Sequence, residues 1–450
     1  MKEKLNFQSN LLVGSLLFGL FFGAGNLIFP VKMGQLAGSN TIQATIGFLI
    51  TGVGLPLLGV IATALSQSEN MLAMAKPVNR IYSIFLTCAL YLTIGPLFAI
   101  PRTATVAFEV GLNPFISKEY LQIGLFLFSL IFFIVTLYYS LRPGRIIDWV
   151  GKYLNPTFVA LLSILIIATY INPMGQINQF PAQGNYIDKP LFTGMLDGYN
   201  TMDALASLAF AIVIISNIEK LGIKDPKRKA IETCKSGLVC LIGMSVIYAS
   251  LAYMGVTSLG SVGTGDNGGI IMSMVSEHYF GIIGQVLLAA IVTVACLKTA
   301  IGLITSCSQM FTEMFPNSVS YNKYAVIFTV FSFVIANFGL NKIIQLSIPV
   351  LMFLYPLAIT LILLSLMAPI INKQKDIYRW TTGFTILAAF FDFCNALPEA
   401  IKETAVMDRV IGFAHTYLPG FDYGFGWIVP AVVGFIIGTI VWRINGKTES

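Results

Sequence analysis

Apolar runs about 17 to 25 residues long, the length a helix needs to cross a bilayer, follow one another along the chain with short polar connections between them. They fall near 9–36, 41–66, 78–108, 119–140, 147–171 and 191–218, then near 229–257, 280–312, 322–338, 342–367, 380–398 and 424–442. The pattern predicts an all-α polytopic membrane protein with twelve transmembrane helices. Two of these runs are interrupted. Residues 21–30 read FFGAGNLIFP and set two glycines and an asparagine inside an apolar stretch. Backbone at membrane depth leaves helical geometry only where it is buried in protein or lines a cavity, so the first span is expected to break. The sixth span opens GMLDGYNTMDALASLAFAIVII, where Gly194, Gly198, Asn200 and Asp203 interrupt the pattern at a corresponding place. Paired interruptions point to an inverted repeat with discontinuous helices 1 and 6. Residues 1–171 would form the first repeat and 191–367 the second, and 380–442 would add two helices to a single transporter domain.

Composition agrees with a membrane solvent. The chain is 56% hydrophobic and 11% charged, against about 25% charged in soluble domains, and its mean hydropathy is +0.80. The net charge of +6 reads as topology rather than nucleic-acid binding. With the N-terminus inside, most Lys and Arg fall in cytoplasmic segments, which puts both termini on the cytoplasmic side of the membrane. The loop EKLGIKDPKRKAIETCK, with Lys220, Lys224, Lys227, Arg228, Lys229 and Lys235, contributes most. It serves as a topology anchor or as a contact for anionic lipid. MKEKLNFQSN leads straight into a full-length span and is read as part of a retained first helix, not a cleaved signal. The six cysteines show no paired spacing and read as small packing residues.

Other chemistries are excluded by what is missing. The glycine-rich loop SLGSVGTGDNGG at 258–269 has no GK[ST] after it and no strand before it, so it is expected to be a flexible or lid-like outer loop, not a phosphate site. The histidines, His278 and His415, fall in outer loops and no HExxH occurs, which argues against an intramembrane enzyme. No cofactor is expected beyond a coupled ion.

The breaks themselves offer binding chemistry. Free amides at the start of a half-helix carry partial positive charge and free carbonyls at the end of the preceding half carry partial negative charge. A substrate carboxylate is expected on the amides around Ala24, Gly25 and Asn26, and an ammonium or small cation on carbonyls of residues 19–23, including Gly19 and Phe22, with Gly23 counted among the substrate-binding residues. Gly198, Tyr199, Asn200, Thr201 and Asp203 are the candidates from the second break, where Asp203 either faces the cavity or caps the second half-helix, two compatible roles. In the eighth span Ala295, Lys298 and Thr299 are ion-site candidates, with Thr305 and Ser306 further along, because hard cations take oxygen ligands. Lys298 can snorkel, pair with an acid such as Asp203, or place its ammonium where a cation would sit. In the third span Pro96 and Pro101 bend the helix, and Arg102 and Glu109, toward the outer end, either snorkel or form an outer gate. Phe21, Phe98 and Phe210 are candidates for selecting an apolar side chain. Asp392 lies outside the core repeat and has no assigned role.

These segments carry a resemblance across nearly the whole chain. GAGNLIFP at 23–30, ITGVGLPLLGV at 50–60, YLTIGPLFAIPRTATVAFEVG at 91–111, DGYNTMDALASLAFAIVI from Asp197, ACLKTAIGLI from Ala295 and IQLSIPVLMFLYPLAI from Ile344 resemble the branched-chain amino acid:cation symporter (LIVCS) family. The resemblance implies a LeuT-like fold and import of leucine, isoleucine and valine with Na+ or H+. It also implies an ion between the first and eighth helices, which favours Thr299 over Thr305 and Ser306. Two residues depart from the family pattern: Asn200, where leucine is usual, and Lys298, where an uncharged residue, often threonine, is usual.

Overall fold

The computed structural model describes residues 4–142 and 155–448, and the start of the expected fifth span lies outside them. Every regular element among the described residues is helical. In order they are α1 (Phe7–Phe21), α2 (Ala24–Ala37), α3 (Thr41–Leu49), α4 (Leu55–Ser66), α5 (Arg80–Leu92), α6 (Ala99–Gly111), α7 (Leu121–Ser140) and α8 (Asn155–Ile171). Then come α9 (Pro190–Tyr199), α10 (Asp203–Lys220), α11 (Pro226–Ser258), α12 (Gly268–Met314), α13 (Tyr321–Ala336), α14 (Leu340–Leu366), α15 (Lys375–Asn395), α16 (Ala405–Tyr417) and α17 (Ile428–Thr448), with short helical turns between. Seven helical stretches among the described residues are long and apolar enough to cross a membrane, and Phe7–Phe21, Val159–Ile171 and Tyr321–Ala336 are shorter apolar helices.

Lipid-type burial explains the periphery. On α7, Ile123, Phe126, Leu127, Ile131 and Ile134 are exposed, whereas Ser129 and Thr136 are buried on the opposite side. Water would not tolerate so large an apolar face; hydrocarbon does. Both of these hydroxyls bond back to carbonyls of their own helix, Ser129 to Phe126 and Thr136 to Phe132, which keeps them paired where no water is at hand.

Small residues set the closest helix crossings, as is common where lipid removes the hydrophobic drive between helices. A β-carbon placed on Gly34 of α2 would stand 2.1 Å from Ala252 O of α11, and one on Gly255 of α11 would stand 2.0 Å from Val31 O of α2. The same reciprocal plan joins α3 and α9: Gly47 would clash with Leu191 O at 1.9 Å, and Gly194 with Ala44 O at 2.0 Å. Each partner supplies a glycine three residues after the carbonyl it offers. The two crossings therefore pair the second half of the first broken helix with α11, and the first half of the other broken helix with α3.

The glycine-rich loop, expected to be flexible or lid-like, is held in this state by side chains of α2. Lys32 donates to Gly265 O at 2.7 Å, and Gln35 donates to Gly263 O and Ser258 Oγ, both at 2.8 Å, while accepting from Gly265 N at 3.1 Å. Asn267 then caps α12 through the amides of Gly269 and Ile270. Two polar side chains of α2 thus satisfy loop backbone that glycine alone leaves unpaired.

Candidate functional site

The first break is a local event. After α1 ends, Phe22 adopts φ −71, ψ 99 and Gly23 extends at φ −125, ψ −166 before α2 begins at Ala24. Asn26, in the first turn of α2, accepts the Gly23 amide on Oδ1 at 3.1 Å, closing the break as a capping side chain does. Its Nδ2 donates to Asp203 Oδ2 at 2.5 Å and also to the Tyr248 hydroxyl. Tyr248 in turn donates to Asp203 Oδ2 at 3.1 Å. One carboxamide therefore joins both broken helices to α11.

The second break lies between Tyr199 and Asp203. Met202 takes φ 62, ψ 10, in the left-handed region, an uncommon place for a side chain without a short polar group. Thr201 Oγ1 donates to Gly198 O at 2.9 Å and accepts the Asp203 amide at 3.3 Å. The open carbonyl of Asn200 receives Arg102 Nη1 at 2.8 Å.

Between the breaks is a small cavity of about 50 Å³. Gly23, Ala24, Gly25 and Asn26 line one side, Thr201 and Asp203 another, with Arg102 from α6 and Thr299 from α12. Phe21 and Phe210 also face it, and Phe98 does not.

Several expected site residues serve elsewhere. Gly198 is a packing glycine: a β-carbon there would lie 2.0 Å from Thr51 Oγ1 and 2.9 Å from Gly52 N, where α3 passes into α4. Tyr199 points away from the cavity and stacks on Tyr355, with ring centroids 3.9 Å apart and planes at 14°. Asn200 takes part through its carbonyl. Arg102 does not snorkel, for it is 3% exposed. Among the described residues it makes no ion pair with Glu109, whose carboxylate accepts from Asn113 one turn further along. Asp392 is buried in α15, away from the cavity.

The expected ion-site residues also gather near the first break. Lys298 Nζ donates to Gly19 O at 3.0 Å, at the carbonyl end of α1. Thr299 lies across from Gly23, with Cγ2 3.4 Å and Oγ1 3.7 Å from a β-carbon built there. Its hydroxyl donates to Ala295 O at 3.1 Å, as Thr305 does to Ile301 O at 2.8 Å. Phe22 stacks on Phe18 at 5.0 Å and on Tyr248 at 6.3 Å, which leaves its side chain a packing role. Tyr248 was not among the expected residues. The signal was present: a tyrosine in the apolar middle of a span has a hydroxyl that must find a partner.

The chain matches the model of a family described as branched-chain amino acid transport protein over residues 6–445. It belongs to that family. It is 47% identical over 448 residues to the branched-chain amino acid permease BrnQ of Lactobacillus delbrueckii subsp. lactis, covering 99% of this chain and 100% of the relative. BrnQ of Bacillus subtilis is 39% identical over 449 residues, covering all of both chains. The branched-chain amino acid transport system 2 carrier protein of Pseudomonas aeruginosa is 38% identical over 437 residues, 97% of each chain. Among solved structures, Mhp1, a nucleobase-cation-symport-1 family transporter in a closed conformation with bromovinylhydantoin bound, aligns with TM-score 0.58 at 14% identity, over 98% of this chain and 93% of the other. MhsT in complex with L-phenylalanine aligns with TM-score 0.56 at 14% identity, over 97% and 100%. This member of the branched-chain amino acid transport protein family is thus a multi-pass membrane transporter with a LeuT-like fold, as the paired breaks and the resemblance led one to expect.

Proposed function

We propose that the protein is a cation-coupled symporter that imports leucine, isoleucine and valine across the cytoplasmic membrane by alternating access. Twelve crossings would place both termini in the cytoplasm, with 1–171 and 191–367 as inverted repeats and 380–442 as two further helices. The reading rests on one observation above the rest: both broken helices meet at a single cavity, where Asn26 of one is bonded to Asp203 of the other. Open amides on one side and a carboxylate on the other suit a zwitterion. The names of the relatives supply the side-chain class. Selection among aliphatic side chains is worth only about 1 to 3 kcal/mol per methylene, so the three substrates should compete with one another. The test is uptake of each labelled amino acid into proteoliposomes with sodium and proton gradients imposed separately. Uptake no greater than in empty liposomes, or accumulation without any gradient, contradicts it.

A second reading concerns the ion. Lys298 Nζ lies 3.0 Å from Gly19 O, at a carbonyl end where a cation would be favoured. Its ammonium would stand in for bound sodium, making the protein a proton-driven carrier or an exchanger. Under this reading uptake by the natural protein ignores sodium, and Lys298→Thr makes it sodium-dependent; an unchanged ion requirement in the variant removes the idea.

A further inference from the structure

Arg102 is the one arginine among the described residues that faces the cavity between the breaks, and it is 3% exposed. An arginine keeps its charge in a protein, and a buried charge is tolerated only when it is both paired and hydrogen-bonded. Here the pairing from protein is incomplete. Nη1 donates to Asn200 O at 2.8 Å, and the guanidinium lies over the Phe29 ring, 4.9 Å from its centroid. Among the described residues no carboxylate forms an ion pair with it.

The rest of the guanidinium faces the start of α2. A β-carbon on Gly25 would lie 3.3 Å from Nη2 and 3.5 Å from Cζ, so a side chain there would press on the guanidinium at this edge of the cavity. The first-turn amides of α2 have no partner within their own helix and favour an anion. A planar fork of N–H donors beside a helix N-terminus is built for a carboxylate, which it can hold through two parallel bonds. Asp203 lines the same cavity and offers carboxyl oxygens that a zwitterion's ammonium would complement.

We propose that Arg102 is the receptor for the substrate's α-carboxylate, so that the site demands a carboxylate as well as an aliphatic side chain. This deepens the transport reading above and rests on it. The alternative is that Arg102 only anchors the end of α9 through Asn200 O. The two roles separate when the carboxylate is removed from the ligand instead of from the protein.

The experiment is calorimetric titration of the purified full-length protein with leucine, leucinamide and isoamylamine, for the natural protein, Arg102→Gln and Arg102→Lys. The natural protein should prefer leucine over both neutral-ended ligands by about 30-fold or more, the loss expected when one partner of a buried, hydrogen-bonded charge pair is removed. Arg102→Gln should bring leucine down to the level of leucinamide while leaving leucinamide binding little changed. Arg102→Lys keeps the charge but not the fork, and should narrow the preference by about tenfold. It decides the matter should the glutamine variant not fold. Equal weakening of leucine and leucinamide, or a preference unchanged in either variant, would overturn the assignment in favour of a helix anchor. So would tight leucinamide binding by the natural protein. Failure of the natural protein to bind leucine, isoleucine or valine would instead bring down the transport reading together with the assignment.

Discussion

The two helix breaks reach the same cavity by different means. The first is self-contained: a glycine takes the extended backbone, and Asn26, three residues on, returns to bond its amide. The second has no glycine at its pivot. Met202 is held at φ 62, where a residue of its kind costs on the order of 1–3 kcal/mol, and the neighbouring carbonyl is held by Arg102 of another helix. One break is written into its own segment, and the other is imposed by what surrounds it. Asn26 connects them, because its two ends serve different breaks.

That contrast predicts unequal responses to substitution. The largest effect is expected from Asn26→Ala, which strips the Gly23 amide and the Asp203 carboxylate of a partner together, at about 1–3 kcal/mol for each buried group left unsatisfied. Leucine uptake should be lost and the unfolding temperature should fall; normal transport would show the carboxamide to be incidental. Gly198→Ala should come next. Its methyl meets Thr51 Oγ1, and overpacking of this kind costs about 1–3 kcal/mol. The yield of folded protein should drop, while the leucine affinity of the folded fraction stays as it was, since Gly198 lies outside the cavity. A changed affinity would return Gly198 to the binding site. Met202→Gly should have the smallest effect, a net loss of thermal stability of about 1–2 kcal/mol, because relief of the positive φ offsets part of the cost of deleting a side chain that is 2% exposed. A loss as large as that of an ordinary buried methionine would mean that the positive φ stores no strain.

The same contrast explains what could be read from the chain. The first break was legible because Gly23, Gly25 and Asn26 act within a few residues of one another, and the structure uses all three at the cavity. At the second break the segment was legible and the roles were not. Gly194 and Gly198 look like helix breakers, but they are spent on close approach to α3 and its continuation toward α4. The true pivot is Met202, which no propensity would choose. Arg102 looked like an outer residue because distance along the span was the only guide. What draws it inward is a carbonyl in another helix, 98 positions later in the chain. The role of Tyr248 is hidden in the sequence for the same reason, since its partners Asn26 and Asp203 come from two other helices. Composition likewise suggested a loose loop at 258–269, but Gln35 and Lys32 of α2 hold it in place.

Whether the two breaks act as one site is open to direct measurement by a double-mutant cycle on leucine affinity with Asn26→Ala and Asp203→Asn. Residues in one hydrogen-bonded network show interaction energies of about 0.5–3 kcal/mol, whereas independent sites add. If the bond between Asn26 and Asp203 unites the breaks, the double variant should bind leucine little worse than the weaker single variant. Strictly additive losses would mean that the two helices contact the substrate separately and that their bond is only structural.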